Sequence, residues 1–263
     1  LKTGFVERNT EGVHLSEEKK LTVRAAERAL DILLCFVREP QLGMMEIAKR
    51  TKLSKSTVFR LLATLEAKGF IKRDPQTEKY QLGFRIWELA ANLDHSDDPA
   101  VLFLPEMERL RDDLDETVSL YVRDGKERIR IQAVESKQAI RRVAPVGARM
   151  PLSVGASSKV LVAYGDEELR QQVLSDPLWP SGIDQEEYQA QLKEIREKGY
   201  AISVEEREVG TAAVSVPVFN REGRLIAALA VSGPVSRMNV EKMIQFAPRL
   251  KDAAEEMGRM VKS

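Results

Sequence analysis

Few residues in this chain have the types and spacing for bond-making chemistry. There are two histidines, His14 and His95, and one cysteine, Cys35. Nucleophilic catalysis needs a base within hydrogen-bond reach of its nucleophile, held there by a third group. His14 falls in a polar amino-terminal stretch and His95 in an interdomain linker, neither beside a plausible nucleophile. Glu205, Glu206 and Glu208 cluster, but zinc and the transition metals prefer His and Cys ligands, and an acidic strand end is more often solvated or salt-bridged. The chain has neither a Walker loop nor a dinucleotide fingerprint, so no cofactor and no metal are expected.

The remaining chemistry is recognition. In "LSKSTVFRLLATLEAKG", Leu53 to Gly69, a helical winding gathers Val58, Leu61, Leu62 and Leu65 on one side and Ser56, Arg60, Ala63 and Ala67 on the other. Small residues let a helix backbone approach a surface closely. Arg60 projects from the middle as a planar fork of donors suited to phosphate or guanine. Lys55 and Phe59 flank that face, and Thr57, on the other side, completes the helix's candidate DNA-contacting set. A second candidate is Gly155-Ala156-Ser157-Ser158, whose backbone amides near a helix start suit a carboxylate; the same small residues equally permit close helix-to-sheet packing. Arg141, Arg142 and Arg149 could line an anion pocket or simply face water.

These residues need elements to hold them. From Thr22, apolar residues recur at helical steps (Val23, Ala26, Leu30, Leu33, Val37) until Pro40. A short helix follows in "MMEIAKRTK". A third runs from a Ser54 cap to Gly69. "GFIKRDPQTEKYQLG" reads as strands Phe70 to Arg73 and Lys79 to Leu82 about an Asp74-Pro75 turn. Three helices and a hairpin make a winged helix-turn-helix over residues 21–83, after an arm at 1–20 that reads as mobile. "FRIWELAANL" continues as an amphipathic linker helix within 84–97, and Ile86, Trp87 and Leu89 exceed the apolar surface one small domain needs. From 98 to 263 the pattern mixes helices with directly joined hairpins: "TVSLYV", "RIRIQAV", a third strand at "AIRRVAP", then "YAISVE", "AAVSVPVF" and "RLIAALAVSG", and a closing helix capped by Asn239. The chain is α+β, its second domain built on a largely antiparallel sheet.

Composition sets the limits. The 263 residues suit two domains, and 41 basic against 41 acidic residues exclude a uniformly basic nucleic-acid coat. Charge is nonetheless local: from Met44 to Tyr80, nine basic residues face four acidic ones. A lone basic helix is more often a solvated surface, but here the helix spacing, a basic wing and a small-residue face coincide. Lys52, Lys55, Arg73 and Lys79 are expected on phosphates, and Arg60 with Ser56 on base edges. The lone cysteine and the lack of any membrane-length apolar run or signal peptide lead to an expected cytoplasmic location without a membrane partner.

"EIAKRTKLSKSTVFRLLATLEAKGFI" followed by "YQLGFRIWEL" resembles the DNA-binding domain of the IclR family of bacterial transcription regulators. The likeness continues through "GARMPLSVGASSKVLVAYG" and "GYAISVEEREVGTAAVSVPVFNREGRLIAALAVSGP". The resemblance implies a GAF-like, profilin-like carboxyl-terminal effector domain. Its small-molecule pocket would lie between the sheet and the segment holding Ser153, Ala156 and Ser157, with further positions at Ser203, Ala213, Ala230 and Ser232. It implies no enzyme, a small organic effector, and a homodimer or homotetramer on palindromic double-stranded operator DNA. Family members that sense small keto acids tend to be more acidic or polar where this chain has Ser203, Ala213 and Ala230, and carry Gly-Lys where it has Ser158-Lys159. A less polar pocket is therefore expected, for a larger or more aromatic ligand. The alternative is a catalytic or metabolite-binding domain fused to a DNA-binding module.

Overall fold

A computed structural model describes residues 22–37, 39–91, 98–141, 143 and 145–261. The arm at 1–20, both histidines, Arg142 and the second half of the expected linker lie outside the described residues. The chain divides between Arg85 and Ile86 into two compact units.

The first unit holds α1 (Arg24–Leu34), a 3-10 turn (Cys35–Val37), α2 (Met44–Thr51), α3 (Lys55–Ala67), β1 (Ile71–Arg73) and β2 (Tyr80–Leu82). Local chemistry sets the helix ends. The Glu46 carboxylate accepts the Gly43 amide at 2.7 Å before α2, and Lys52 turns the chain through a left-handed φ of 55° after it. Ser54 Oγ accepts the Thr57 amide at 3.3 Å and caps α3. The antiparallel pair β1-β2 forms the wing, and an isolated bridge from Leu42 to Tyr80 ties it to the segment before α2. Val58, Leu62 and Leu65 of α3 bury against Ile32, Phe36, Leu42 and Ile47, each contributing roughly 1.5–3 kcal/mol by leaving water. Gly83 permits the chain to cross closely into α4 (Phe84–Ala90), since a Cβ there would sit 2.2 Å from the Gly69 carbonyl oxygen.

α1 corrects the sequence reading. Its packed side is Ala29, Ile32, Leu33 and the adjoining Phe36, whereas Val23, Ala26, Leu30 and Val37 of the expected stripe are exposed. Two apolar stripes share this helix, and periodicity does not say which one meets the core.

The second unit orders α5 (Pro99–Leu102), α6 (Leu104–Leu114), β3 (Thr117–Asp124), β4 (Glu127–Val134), β5 (Arg149–Pro151), α7 (Ala156–Ala163), α8 (Glu167–Leu174), α9 (Gln185–Lys198), β6 (Ala201–Val204), β7 (Thr211–Phe219), β8 (Leu225–Pro234) and α10 (Val240–Met260). The strands form one six-stranded antiparallel sheet in the order β5-β4-β3-β8-β7-β6. The third strand is Arg149–Pro151; in the expected strand at Ala139–Pro145, the described residues are bends and loop. Large side chains alternate to one face, where Val214, Val216, Leu229 and Val231 pack on Met243, Leu250 and Met257 of α10. Small ones fill the other: Ala213, Ser215, Ala228 and Ala230 let α7 lie so close that all eight of its residues are buried.

A bulge decides what β4 presents to that second face. Val118 pairs with Val134 and Leu120 with Gln132, but Tyr121 pairs with Arg130, leaving Ile131 without a counterpart. One extra residue reverses the alternation beyond it. Without it, Arg130 and Arg128 would share the side of Val134, in the apolar core under α10. With it they turn to the α7 face beside Tyr121.

Candidate DNA-reading helix and effector pocket

On α3, Lys55, Ser56, Phe59, Arg60, Ala63 and Ala67 are all exposed and the apolar stripe is inside. The exposed edge therefore offers a hydroxyl, a ring, two cations and small side chains along one side of a rod. Thr57 is half-buried, its hydroxyl 2.8 Å from that of Ser54, so it serves the cap at the helix start. Lys52 is exposed in the turn between α2 and α3, and Lys72, Arg73 and Lys79 are exposed on the wing. Arg73 is already engaged, paired to Glu78 at 2.9 Å and lying 5.8 Å from the Tyr80 ring centroid. Glu66 accepts the Arg73 amide at 3.2 Å, which pins the wing to the end of α3.

The pocket candidates converge more than the sequence foresaw. Ala156, Ser157, Ser203, Ala213, Ala230 and Ser232 all line one cavity of about 50 Å³ between α7 and the sheet. Ser153 is buried nearby without lining it. The cavity wall also holds Tyr121, Arg128, Glu206 and Arg207, which the sequence reading left out of the site. Beside the small residues Ser203, Ala213 and Ala230, charge thus reaches the cavity from β4 and from the loop between β6 and β7.

Arg128 is 4% exposed. Its Nη1 donates to Ser157 Oγ at 2.9 Å, and its guanidinium lies 5.1 Å from the Tyr121 ring centroid. Arg130, 1% exposed, donates to Tyr121 Oη from Nε at 3.1 Å and Nη2 at 2.7 Å. A tyrosine held between two buried arginines is a fixed wall. Gly155 makes room for Arg128: its φ is +91°, and a Cβ there would come within 3.1 Å of Nη2. Tyr188, fully buried, donates to the Leu152 carbonyl at 3.0 Å and anchors the segment before α7; burial pushes its hydroxyl pKa up, so it remains a donor.

The start of α7 is occupied by the chain itself. Glu206 Oε2 accepts the Gly155 amide at 3.0 Å, and Oε1 pairs with the buried ammonium of Lys159. A carboxylate at a helix amino terminus is favoured by the helix dipole and the open amides. The Gly155 amide, read from the sequence as available to a ligand, is therefore taken. The other arginines considered for an anion pocket lie elsewhere: Arg149 pairs with Asp124 and Glu127, and Arg141 with Glu135, all on the surface.

A larger cleft of about 510 Å³ opens where α9, β7 and α10 end, with Tyr164, Pro217 and Phe219 in its wall. Its cations are engaged within the chain: Arg221 bonds the Arg259 carbonyl and Lys251 that of Lys198, while Lys198 pairs with Glu194 and Arg259 with Glu255. The smaller cavity is the stronger effector candidate because buried charge and hydroxyl groups converge there. Among the described residues, no group of His, Cys, Asp and Glu could hold a metal, and no helix is long and apolar enough to cross a membrane.

A winged helix-turn-helix with an open reading edge, carried on one chain with a sheet domain that encloses a charged pocket, defines a DNA-binding regulator with an effector-binding domain. Sequence comparison agrees over both parts: the IclR helix-turn-helix domain matches residues 25–75, and the bacterial transcriptional regulator IclR carboxyl-terminal domain matches residues 95–259. The chain belongs to the IclR family of bacterial transcription regulators. The HTH-type transcriptional regulator XynR of Escherichia coli K12 is 34% identical over 246 residues, covering 90% of this chain and 96% of that protein. Among solved structures, an IclR transcriptional regulator from Alicyclobacillus acidocaldarius superposes with a TM-score of 0.77 at 30% identity, covering 91% of this chain and 99% of that one. An IclR homologue from Microbacterium hydrocarbonoxydans, complexed with 4-hydroxybenzoate, gives 0.78 at 27% identity, covering 89% and 99%. These relatives are regulators, so the chain's function is regulatory and not enzymatic.

Proposed function

We propose that the protein binds a palindromic double-stranded operator as a homodimer or homotetramer and that a small organic acid in the carboxyl-terminal pocket sets its affinity. Residues 21–83 read DNA, 84–97 join the parts, and 98–263 sense the ligand. The observation that carries this reading is the exposed Ser56-Arg60 edge of α3, opposite a stripe in which Val58, Leu62 and Leu65 are buried. With the amino-terminal half of α3 in the major groove, Ser56 and Arg60 meet base edges and Phe59 meets an apolar base edge. Lys52, Lys55, Arg73 and Lys79 bind phosphate, and Thr57 keeps the helix start in register through its bond to Ser54. Arg73 exchanges Glu78 for phosphate in doing so.

Two apolar faces support self-association. Val23, Leu30, Leu34 and Val37 are exposed along α1 and its turn, and on α4 Phe84, Trp87 and Leu89 are exposed, Trp87 at 63%. Exposed apolar surface of this extent marks an interaction site. A two-fold protein then matches a two-fold operator, and an effector that favours one spacing of the two reading helices changes affinity by that difference. The decisive experiment is a gel shift with DNA from upstream of the protein's own gene, with and without a library of organic acids. Ligand-dependent retardation with the ligand recovered unchanged is expected. Turnover of the ligand, or retardation indifferent to every acid, refutes the reading.

A further inference from the structure

The two edges of the six-stranded sheet are finished differently. On β5, Met150 bonds toward β4, in phase with the bond from the Arg130 amide to the Ala148 carbonyl, so Arg149 and Pro151 hold the outward positions. Pro151 has no amide to donate, and the Arg149 side chain is drawn into ion pairs with Asp124 and Glu127. Charge and proline are usual means of closing an edge. The other edge, β6, has neither: it is Ala201-Ile202-Ser203-Val204. The Glu205 amide bonds the Thr211 carbonyl at 2.8 Å. By the alternation of the ladder, Ala201 and Ser203 then bond toward β7, and the N–H and C=O of Ile202 and Val204 point off the sheet. Among the described residues, none meets these outward groups. Beside them runs a groove of about 400 Å³ lined by Ile202, Val204, Val240 and Ile244, the last three exposed.

We propose that a second copy of the chain covers this edge, β6 pairing antiparallel with β6 about a two-fold axis through Ser203. This adds an interface on the second unit and does not need the α1 and α4 faces named above. In that register Ile202 of each strand stands opposite Val204 of the other as a hydrogen-bonded pair, so the outward groups of both strands are used. The surroundings are complementary too. Lys198 and Lys251 gather before β6, where Lys251 bonds the Lys198 carbonyl, and Glu205 and Glu208 follow it; antiparallel pairing sets each end beside the other. Glu194, paired with Lys198, faces the same groove. On the α10 side, Val240 and Ile244 of the two copies close over Ile202 and Val204 and leave water. A foreign extended segment would meet only this short edge, whereas a second copy brings the apolar and charged surroundings twice. Ser203 lines the cavity under α7, so at the axis the cavities of the two copies become neighbours.

Light scattering and cross-linking of the full chain test the pairing. Val204→Lys places an ammonium on the paired edge, and Val204→Pro removes an outward amide that makes no bond to β7. Each should halve the mass of the wild-type assembly, while Leu178→Lys, at an exposed position outside the groove, should leave it unchanged. Cysteine substitution reads the register. In a Cys35→Ser background, Ser203→Cys should form a disulfide-linked dimer under diamide, because antiparallel partners without mutual hydrogen bonds stand about 4.5 Å apart at Cα, within disulfide reach. Leu178→Cys in the same background should stay a single chain. A wild type of single-chain mass, both Val204 variants equal in mass to wild type, or a Ser203→Cys chain that does not cross-link overturns the pairing. Failure of the operator reading looks different: DNA would stay unshifted, whatever these masses are.

Discussion

Glu206→Ala offers the sharpest thermodynamic test of the pocket. The side chains of Lys159 and Glu206 are 5% and 22% exposed, so the substitution strands an ammonium that has almost no access to water, and it also removes the acceptor of the Gly155 amide. Breaking a buried pair from one side costs about 3–5 kcal/mol. Glu206 keeps some contact with solvent, which screens the pair and puts the expected loss nearer to about 2–3 kcal/mol. For a domain of this size that is a fall in Tm of roughly 5–10 °C. Calorimetry on the full chain reads it directly. The control is Glu206→Leu with Lys159→Met, which removes both charges while keeping volume and should recover most of the loss, since an apolar pair needs no counter-ion. A loss below about 1 kcal/mol in Glu206→Ala would mean that the ion pair does not hold the start of α7. A double variant as unstable as the single would place the effect in packing instead.

Arg60→Ala should weaken operator binding by about 1–3 kcal/mol and relax preference at one base position; footprints and affinities equal to wild type would remove it from base reading. Lys55→Ala and Lys79→Ala should each weaken all DNA alike and reduce the slope of log K against log salt by about 0.9, measured by fluorescence anisotropy across a salt series. Leu30→Glu and Trp87→Ala, both at exposed positions, should shift light-scattering mass toward the monomer and lower Tm while making it less dependent on protein concentration; an unaltered mass would move the interface elsewhere. Glu106 is buried and its pKa is raised, chiefly by desolvation, against a lowering by Arg109. The folded state therefore holds this proton more tightly than the unfolded chain, and stability declines as pH rises from the ordinary carboxylate pKa through the raised one. In Glu106→Gln that decline should be smaller when denaturant midpoints are compared across pH.

Much of this molecule follows from its sequence because the deciding interactions are local. Ser54, Asp166, Asp184 and Asn239 cap helices through their own side chains, and Gly69 and Gly199 end α3 and α9 at positive φ. Such signals need no partner from far along the chain. The two faces of α3 were equally plain, since one side is apolar and the other is not. The tertiary structure decided the cases where local pattern allows two answers. α1 has apolar residues on more than one side, and only the packing of Ile32 and Phe36 shows which side is core. Arg128 and Arg130 alternate with isoleucines, so a regular strand would have left them facing away from the pocket; the unpaired Ile131 turns them inward, and a bulge arises from the register of two strands together. Glu206 read as a solvated strand end until the fold brought it to Lys159, 47 residues away. The charges that fill the pocket became visible only when distant segments met, because burial and pairing are properties of neighbours in space.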